Sequence, residues 1–191
     1  MKIYDEANVI HQVLIGNTSA YKSLVDAYKD LVFVLVLKIV RNREEAEEVS
    51  QDTFLKAYHS LASFKNESKF STWIYKIAYN AAISRIRKKT LITSTIDDYV
   101  VENYSIDTLQ ENLEAIDENE RISLLKQAVS KLSQDEQLLI DLFYFNDQSI
   151  DEICQITGLT DSNVKVKLHR IRKKLYSNMN DQLVKTQMDL R

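Results

Sequence analysis

The stretch GLTDSNVKVKLHRIRKKL, residues 158–175, combines one of the chain's two glycines with six Lys or Arg residues that follow one another closely. One helix is predicted over 149–157 and a second over 161–178. Gly158, between them, can take the positive φ that a sharp turn needs. Two helices joined in this way predict a helix-turn-helix, whose second helix enters the major groove of DNA.

The second helix of this motif has two unlike faces, because side chains advance by about 100° per residue. The seam that we expect to be buried consists of Val164, Leu168, Ile171 and Leu175. The residues that we expect to contact DNA are Ser162, Asn163, Lys165, Val166, Lys167, His169, Arg170 and Lys173. Val166 offers an apolar contact to a thymine methyl, Arg170 can pair with guanine, and the lysines suit phosphates. From this motif alone, the alternative is that the basic face is exposed to solvent at the end of a helical bundle and does not bind DNA.

The composition favours an all-α fold of two small helical domains. The 191 residues include no proline and only two glycines, so the composition predicts helices joined by short polar links. The single cysteine, Cys154, excludes an internal disulfide and a multi-cysteine zinc site, and the three histidines lie far apart. We expect no metal and no other cofactor.

The charge distribution predicts the domain boundaries. Residues 1–89 carry 14 Lys/Arg and 10 Asp/Glu, whereas residues 90–120 carry nine Asp/Glu and no Lys/Arg. Weak periodicity and many small polar residues predict an acidic linker over 90–117. The expected organisation is therefore a first domain over 1–89, the linker, and a second domain over 118–191 that contains the helix-turn-helix, 149–178.

Helical periodicity and capping signals place the remaining elements. In the first domain we predict helices over 5–16, 19–41, about 43–61 and 71–89; a buried strand is the alternative for the Val-rich part of the second. The core seam expected for the fourth helix is Ile74, Ala78 and Ala81. In the second domain we predict helices over 118–130 and 134–144. Ser133–Glu136 and Ser149–Glu152 each fit a capping box.

Several protein classes are disfavoured. The N-terminus MKIYDEANVI lacks the basic and apolar regions of a secretory signal, and the longest apolar run, LVFVLVLKIV, is too short for a membrane span. We expect a cytoplasmic protein without direct membrane insertion. The chain has no Gly-rich phosphate loop, metal-ligand spacing or nucleophile elbow, so we expect no enzyme, no catalytic residue and no small-molecule substrate.

Three longer stretches carry a resemblance to a known family. EEAEEVSQDTFLKAY (44–58) and FKNESKFSTWIYKIAYNAAISRIRKK (64–89) resemble the second conserved region of bacterial RNA polymerase sigma factors of the extracytoplasmic-function (ECF) group. The stretch 132–175 resembles the fourth conserved region of that group. Asn146–Asp147 departs from the Glu-Gly turn of the family, and Asn163 and Val166 depart from its usual recognition-helix residues.

The resemblance implies an initiation factor that directs core RNA polymerase to promoters and helps to open the DNA. Double-stranded DNA would be read at the −35 element by the eight helix-turn-helix residues. The residues implied at the −10 element, on single-stranded DNA, are Phe64, Lys65, Asn66, Ser68, Lys69, Trp73, Lys76, Asn80, Arg85, Arg87 and Lys88. Burial in the core is the alternative for Trp73 and for Tyr79.

The resemblance also implies protein partners. The motif that meets the polymerase clamp helices is matched by Glu48, Gln51 and Asp52. The alternative is that the acidic residues over 44–52 only complement the dipole at the start of the helix. The flap would be a further polymerase contact, and many members of the group are held by an anti-sigma factor. A two-domain transcription regulator without a polymerase partner is the competing class, and the first-domain matches argue against it.

Overall fold

The computed structural model describes residues 6–89 and 116–189. Among these residues every regular element is a helix, as predicted. Most of the predicted acidic linker, 90–115, lies outside the described residues. The α-helices are α1 (Glu6–Leu14), α2 (Tyr21–Val40), α3 (Arg43–Ser60), α4 (Phe70–Lys89), α5 (Glu118–Ser130), α6 (Gln134–Ile140), α7 (Ile150–Thr157) and α8 (Asp161–Asp189). A π-helical turn, Asp141–Phe145, continues α6, and short 3-10 helices cover Thr18–Ala20 and Leu61–Ser63. In the part of the chain that the structure describes, no helix is both long and apolar enough to cross a membrane.

The chain forms two compact units, and α7 belongs to the first of them. Unit 1 contains α1 to α4 together with Gln148–Leu159, and unit 2 contains α5, α6 and α8. Within unit 1, α7 packs along α4. The domain boundaries expected from the charge distribution remain a prediction.

The core of unit 1 is formed where α2, α3 and α4 pack on one another. The Val-rich part of α2 is helical rather than a strand, and its buried members include Val32 and Val36. The seam of α4 runs through Ile74 and Ala78 as predicted. It continues at Ala82, which is fully buried, and the prediction of Ala81 was wrong because the inward side advances by four residues at this point.

The link between α2 and α3 is built without glycine. Arg41 has φ 54° and ends α2 with a hydrogen bond from its N–H to the Leu37 carbonyl. The side chain of Asn42 then caps α3 by accepting a hydrogen bond from the backbone N–H of Glu45 at 2.9 Å. A two-residue link therefore reverses the chain direction, which accounts for the direct contact of α2 with α3.

Unit 2 contains a capping box and a last helix that is longer than predicted. At the start of α6 the Ser133 and Glu136 side chains satisfy each other's backbone N–H groups, as predicted. The last helix runs to Asp189, so the prediction of an end near 178 was wrong. Met179 and Leu183 extend its apolar seam and bury against α5, and no Gly or Pro interrupts the helix.

Candidate nucleic-acid interface

The turn between α7 and α8 has the backbone geometry that the glycine predicts. Gly158 has φ 77°, and its N–H donates to the Cys154 carbonyl at 2.9 Å, which ends α7. The Thr160 hydroxyl accepts a hydrogen bond from the N–H of Asn163 at 3.3 Å and so supports the first turn of α8. At the other end of α7, Ser149 and Glu152 form the predicted capping box.

The amphipathic division of α8 is confirmed by burial. Val164, Leu168 and Ile171 are at most 3% exposed. Leu175, the fourth residue of the predicted seam, is only partly buried. Of the eight residues predicted to contact DNA, seven are exposed and Lys167 is partly exposed. Val166 is 47% exposed and lies among polar side chains. The structure thus brings the eight side chains to the side of α8 that does not form the core, and their contact with DNA stays a prediction.

Two residues of the basic run have carboxylate partners. Lys165 pairs with Asp161 at 2.7 Å, one turn earlier in α8. Lys174 lies 3.0 Å from Glu136 and ties α8 to the capping box of α6. Burial would raise the pKa of Glu136, but the hydrogen bond from the backbone of Ser133 and the ammonium of Lys174 outweigh it and leave the pKa lowered. Lys174 therefore has a structural role inside unit 2.

The loop before α4 is held by an aromatic cluster. Phe64 is 9% exposed, and its ring centroid lies 5.6 Å from that of Phe70 and 5.3 Å from that of Trp73. Burial leaves the faces of Phe64 unavailable for base stacking in this conformation, so the residue supports the loop from inside. Asn66 has φ 56°, a left-handed conformation that asparagine tolerates better than most residues. Lys65, Asn66 and Lys69 are exposed and Ser68 is partly exposed.

One face of α4 collects most of the other residues predicted at the −10 element. At about 100° per residue, Trp73, Lys76, Asn80 and Arg87 fall within about 60° of one another, opposite the buried seam. Trp73 is partly exposed, and the other three are exposed. We call these four residues the α4 face. Lys88 is also exposed, to one side of it, and Tyr79 is partly exposed.

Arg85 lies elsewhere and joins the region predicted to contact polymerase. Its guanidinium is 2.8 Å from the Glu48 carboxylate of α3. The hydrogen bond from Arg85 lowers the pKa of Glu48, and the same bond raises the pKa of Arg85. The structure therefore pairs Arg85, predicted at the −10 element, with Glu48, predicted to contact polymerase. Gln51 and Asp52 are exposed on α3.

An exposed apolar side chain shares a face of α3 with two of the predicted polymerase residues. Leu55 is 59% exposed. It follows Gln51 by four residues and Asp52 by three, so the three side chains share one face of α3. The position of Leu55 one turn after two matched motif residues, on the side of α3 opposite its core pattern, was the sequence signal for this exposed leucine.

A polar cluster joins α4 to the N-terminus of α7. The Lys69 ammonium is 3.0 Å from the Glu152 carboxylate. The hydroxyl of Thr72, which is 1% exposed, lies 3.2 Å from Glu152 Oε1 and 3.3 Å from Gln148 Oε1. Burial would raise the pKa of Glu152, but hydrogen bonds from Ser149 and Lys69 outweigh it and lower the pKa. No sequence signal predicted this cluster, since its members lie about 80 residues apart along the chain.

Comparison with known proteins identifies two sigma-factor regions in the chain. The profile for Sigma-70 region 2 matches residues 24–92, and the profile for Sigma-70, region 4 matches residues 122–175. The chain is 31% identical over 188 residues to the ECF RNA polymerase sigma factor SigW of Bacillus subtilis (strain 168), covering 90% of this chain and 95% of the relative. It is 29% identical over 181 residues to the ECF RNA polymerase sigma-E factor of Haemophilus influenzae, covering 90% and 93%.

Two solved structures share the fold. CnrH, in complex with the cytosolic domain of CnrY, superposes with a TM-score of 0.60 at 21% identity, covering 91% of this chain and 96% of that one. The sigma factor RpoE of Bartonella quintana, in complex with the anti-sigma factor NepR, superposes with a TM-score of 0.56 at 19% identity, covering 84% and 96%.

Proposed function

The chain belongs to the sigma-70 family of RNA polymerase sigma factors, in its ECF group, and from this premise we propose which surfaces recognise the promoter. As an ECF sigma factor it serves transcription initiation, binds DNA through the helix-turn-helix of region 4, and is an initiation factor rather than an enzyme. Our proposal assigns the −35 element to α8 and the opened −10 strand to α4.

At the −35 element, the exposed side of α8 reads base pairs in the major groove. Ser162, Val166, His169 and Arg170 reach base edges, and the flanking lysines contact phosphates. Because Val166 is exposed, its side chain is available for apolar contact with a thymine methyl. Asn163 and Val166, where this chain departs from the family pattern, set its own −35 preference.

At the −10 element, the α4 face holds the non-template strand. The observation that carries this proposal is that Trp73, Lys76, Asn80 and Arg87 share one outward face of a single helix, so an aromatic ring, an amide and two cations point the same way. Stacking on an aromatic ring and cations along the backbone are what single-stranded DNA needs. The exposed loop residues Lys65, Asn66 and Lys69, with Ser68, border the face, and Lys88 extends it.

The polymerase contact that we propose uses α3 around Leu55. An exposed leucine next to Gln51 and Asp52 offers an apolar centre with a polar rim, the usual anatomy of a protein interface. Arg85 then acts here by orienting Glu48, rather than at the DNA. In unit 2, the exposed aromatic residues Tyr144 and Phe145 are suited to the polymerase flap.

We also propose a regulatory partner and a site of action. Two fold neighbours were solved in complexes, one of them with an anti-sigma factor, which supports an anti-sigma factor for this chain too. Because bacterial RNA polymerase and promoter DNA are in the cytoplasm, we propose that the protein acts there.

In vitro transcription tests the assignment. Core RNA polymerase is supplied with promoter fragments from the same genome, with and without the purified chain. Specific start sites should appear only with the chain, and Leu55→Asp should lose both core binding and initiation. A soluble, folded chain that yields no specific start on any fragment would contradict the proposed function.

A further inference from the structure

The loop before α4 is closed by aromatic rings at its two ends. Phe64 precedes the loop and Phe70 begins α4, and their ring centroids lie 5.6 Å apart, edge to face. Both rings are buried. Between them Asn66 has φ 56°, a conformation that persists only where the surrounding structure holds it. The loop of residues 65–69 therefore depends on the rings behind it, and we call it the −10 loop after its proposed role.

A tyrosine from α2 supports this pair of rings. The ring centroid of Tyr28 lies 5.3 Å from that of Phe70, a separation at which aromatic rings stabilise each other. The Tyr28 hydroxyl donates a hydrogen bond to the carboxylate of Glu6, in the first turn of α1. Because the hydroxyl of a partly buried tyrosine needs a polar partner, this bond helps to hold the ring against Phe70.

The helix α1 also contacts the chain just before the −10 loop. It packs against the 3-10 helix Leu61–Ser63, and the N–H of Phe64 donates to the Leu61 carbonyl at 3.0 Å. Ile10 and Val13 are buried and fix α1 on unit 1. Thus α1 meets the turn that leads into the loop and, through Tyr28, the first residue after it.

We infer that Glu6 and Tyr28 are positioning residues for −10 recognition, which keep the −10 loop ordered before DNA binds. An ordered loop loses less conformational freedom on binding, so these residues raise the affinity for the −10 strand without touching it. Glu6 and all of α1 lie outside residues 24–92, which match the Sigma-70 region 2 profile. The DNA part of this inference rests on the proposed −10 role of the loop, whereas the support of the loop by α1 does not.

Tyr28→Phe is the variant that removes the hydrogen bond and keeps the ring. Tyr21→Phe is the matched control, because it makes the same chemical change in the same helix. The Tyr21 hydroxyl donates to the Phe54 carbonyl of α3 at 2.7 Å, and its ring packs on Tyr58. Each variant loses one tyrosine hydrogen bond, so a difference between them reports the link to α1 rather than a general loss of stability.

Two substitutions of Glu6 test the other end of the link. Glutamine keeps an oxygen that can accept from Tyr28, whereas alanine does not. Glu6→Gln should therefore retain the order of the −10 loop, and Glu6→Ala should behave like Tyr28→Phe. Combining Glu6→Ala with Tyr28→Phe should add nothing, because both remove one bond. If Glu6→Gln were as damaging as Glu6→Ala, the negative charge at the start of α1 would be what matters, and the inference would be overturned.

The first experiment measures the order of the loop in the full-length chain. Millisecond hydrogen exchange of the amides of residues 64–70 should accelerate about two- to tenfold in Tyr28→Phe, the range for loss of one hydrogen bond. Trp73, the single tryptophan, packs on Phe64 and Phe70, so acrylamide should quench its fluorescence more strongly in the same variant. Tyr21→Phe should change neither. Unchanged exchange in Tyr28→Phe, or equal acceleration in Tyr21→Phe, would overturn the inference.

The second experiment measures DNA binding in the complex with core RNA polymerase. The probe is a fluorescent single-stranded oligonucleotide with the non-template −10 sequence of a promoter on which the chain initiates. Its affinity should fall in Tyr28→Phe and Glu6→Ala, by up to the factor seen in exchange, and stay unchanged in Tyr21→Phe and Glu6→Gln. Binding to core polymerase should be equal for all four variants.

The two experiments separate this inference from the proposed function. If the loop loosens in Tyr28→Phe but the oligonucleotide binds as before, the order of the loop does not contribute to recognition and the inference fails. If the unsubstituted complex does not bind the oligonucleotide while Tyr28→Phe still loosens the loop, the −10 assignment fails and the support of the loop by α1 stands.

Discussion

Replacing Gly158 by alanine should destabilise the helix-turn-helix through backbone strain alone. Gly158 has φ 77°, and a Cβ built there would meet no atom within 4 Å, so the methyl group has room. An L-residue in this left-handed conformation costs roughly 1–2 kcal/mol. Alanine also restricts the unfolded chain, which offsets roughly 0.4–1 kcal/mol. At the middle of each range, the free energy of unfolding should therefore fall by about 0.8 kcal/mol.

The single tryptophan provides the assay. Trp73 lies on α4, in the same unit as α7 and Gly158, so its fluorescence follows unfolding of that unit. For about 100 residues, this loss of stability corresponds to a decrease of about 3–6 °C in Tm. Promoter binding at 25 °C should be retained, since the folded state still predominates.

Gly158→Asn is the matched control, because asparagine tolerates the left-handed region better than alanine does. The order of Tm should be Gly, then Asn, then Ala. An alanine variant as stable as the unsubstituted chain would mean that the positive φ carries no cost here. An asparagine variant less stable than the alanine variant would mean that side-chain bulk, rather than φ, decides, and either result would refute the reasoning.

Three further predictions concern DNA recognition and pH. Arg170→Ala should change the −35 preference by about 1–3 kcal/mol at one base pair, whereas Lys167→Ala should weaken all promoters equally and reduce the salt dependence of binding. Binding titrations on a set of single-base promoter variants distinguish the two, and a uniform loss for Arg170→Ala would make it a phosphate contact. Asn80→Ala should impair promoter opening more than closed-complex formation, and a pre-melted template should rescue it in single-round transcription; failure of that rescue would contradict the −10 role. Because the folded-state pKa of Glu136 is lowered from its ordinary 4.5, its stabilisation is present above about pH 4.5 and is lost as the pH falls through the folded-state value. Thermal unfolding from pH 6 to pH 3 should show a smaller loss for Glu136→Gln, and parallel curves would contradict the role of the Lys174 pair.

The fold could be predicted wherever a local rule applied. The capping boxes at Ser133 and Ser149, the glycine turn and the buried seam of α8 all depend on residues within a few positions of each other, and all were found. The errors arose where packing between elements decided. The last helix runs past 178 because Met179 and Leu183 pack against α5. Local stop signals in the sequence carry no information about that contact.

The candidate interface divides in the same way. Exposure of the DNA side of α8 followed from periodicity. The common outward face of Trp73, Lys76 and Asn80 on α4 was not predicted, because the sequence left burial of Trp73 open. The pairing of Arg85 with Glu48 was not predicted either, because the two residues belong to different helices and each has several exposed acids or bases nearby in the sequence. Only the packing of α3 on α4 selects this pair.

By itself, the sequence determined that the chain is helical, that a glycine turn separates a capped helix from a basic one, and which stretches match the two sigma regions. These features depend on backbone propensity, capping and spacing, which act over a few residues. Only the tertiary structure decided that α7 packs on α4, that Phe64 is a core residue and that Lys69 faces Glu152. Those contacts join residues far apart along the chain, and they form because burying apolar surface and pairing the remaining polar groups selects one arrangement of helices that no local pattern specifies.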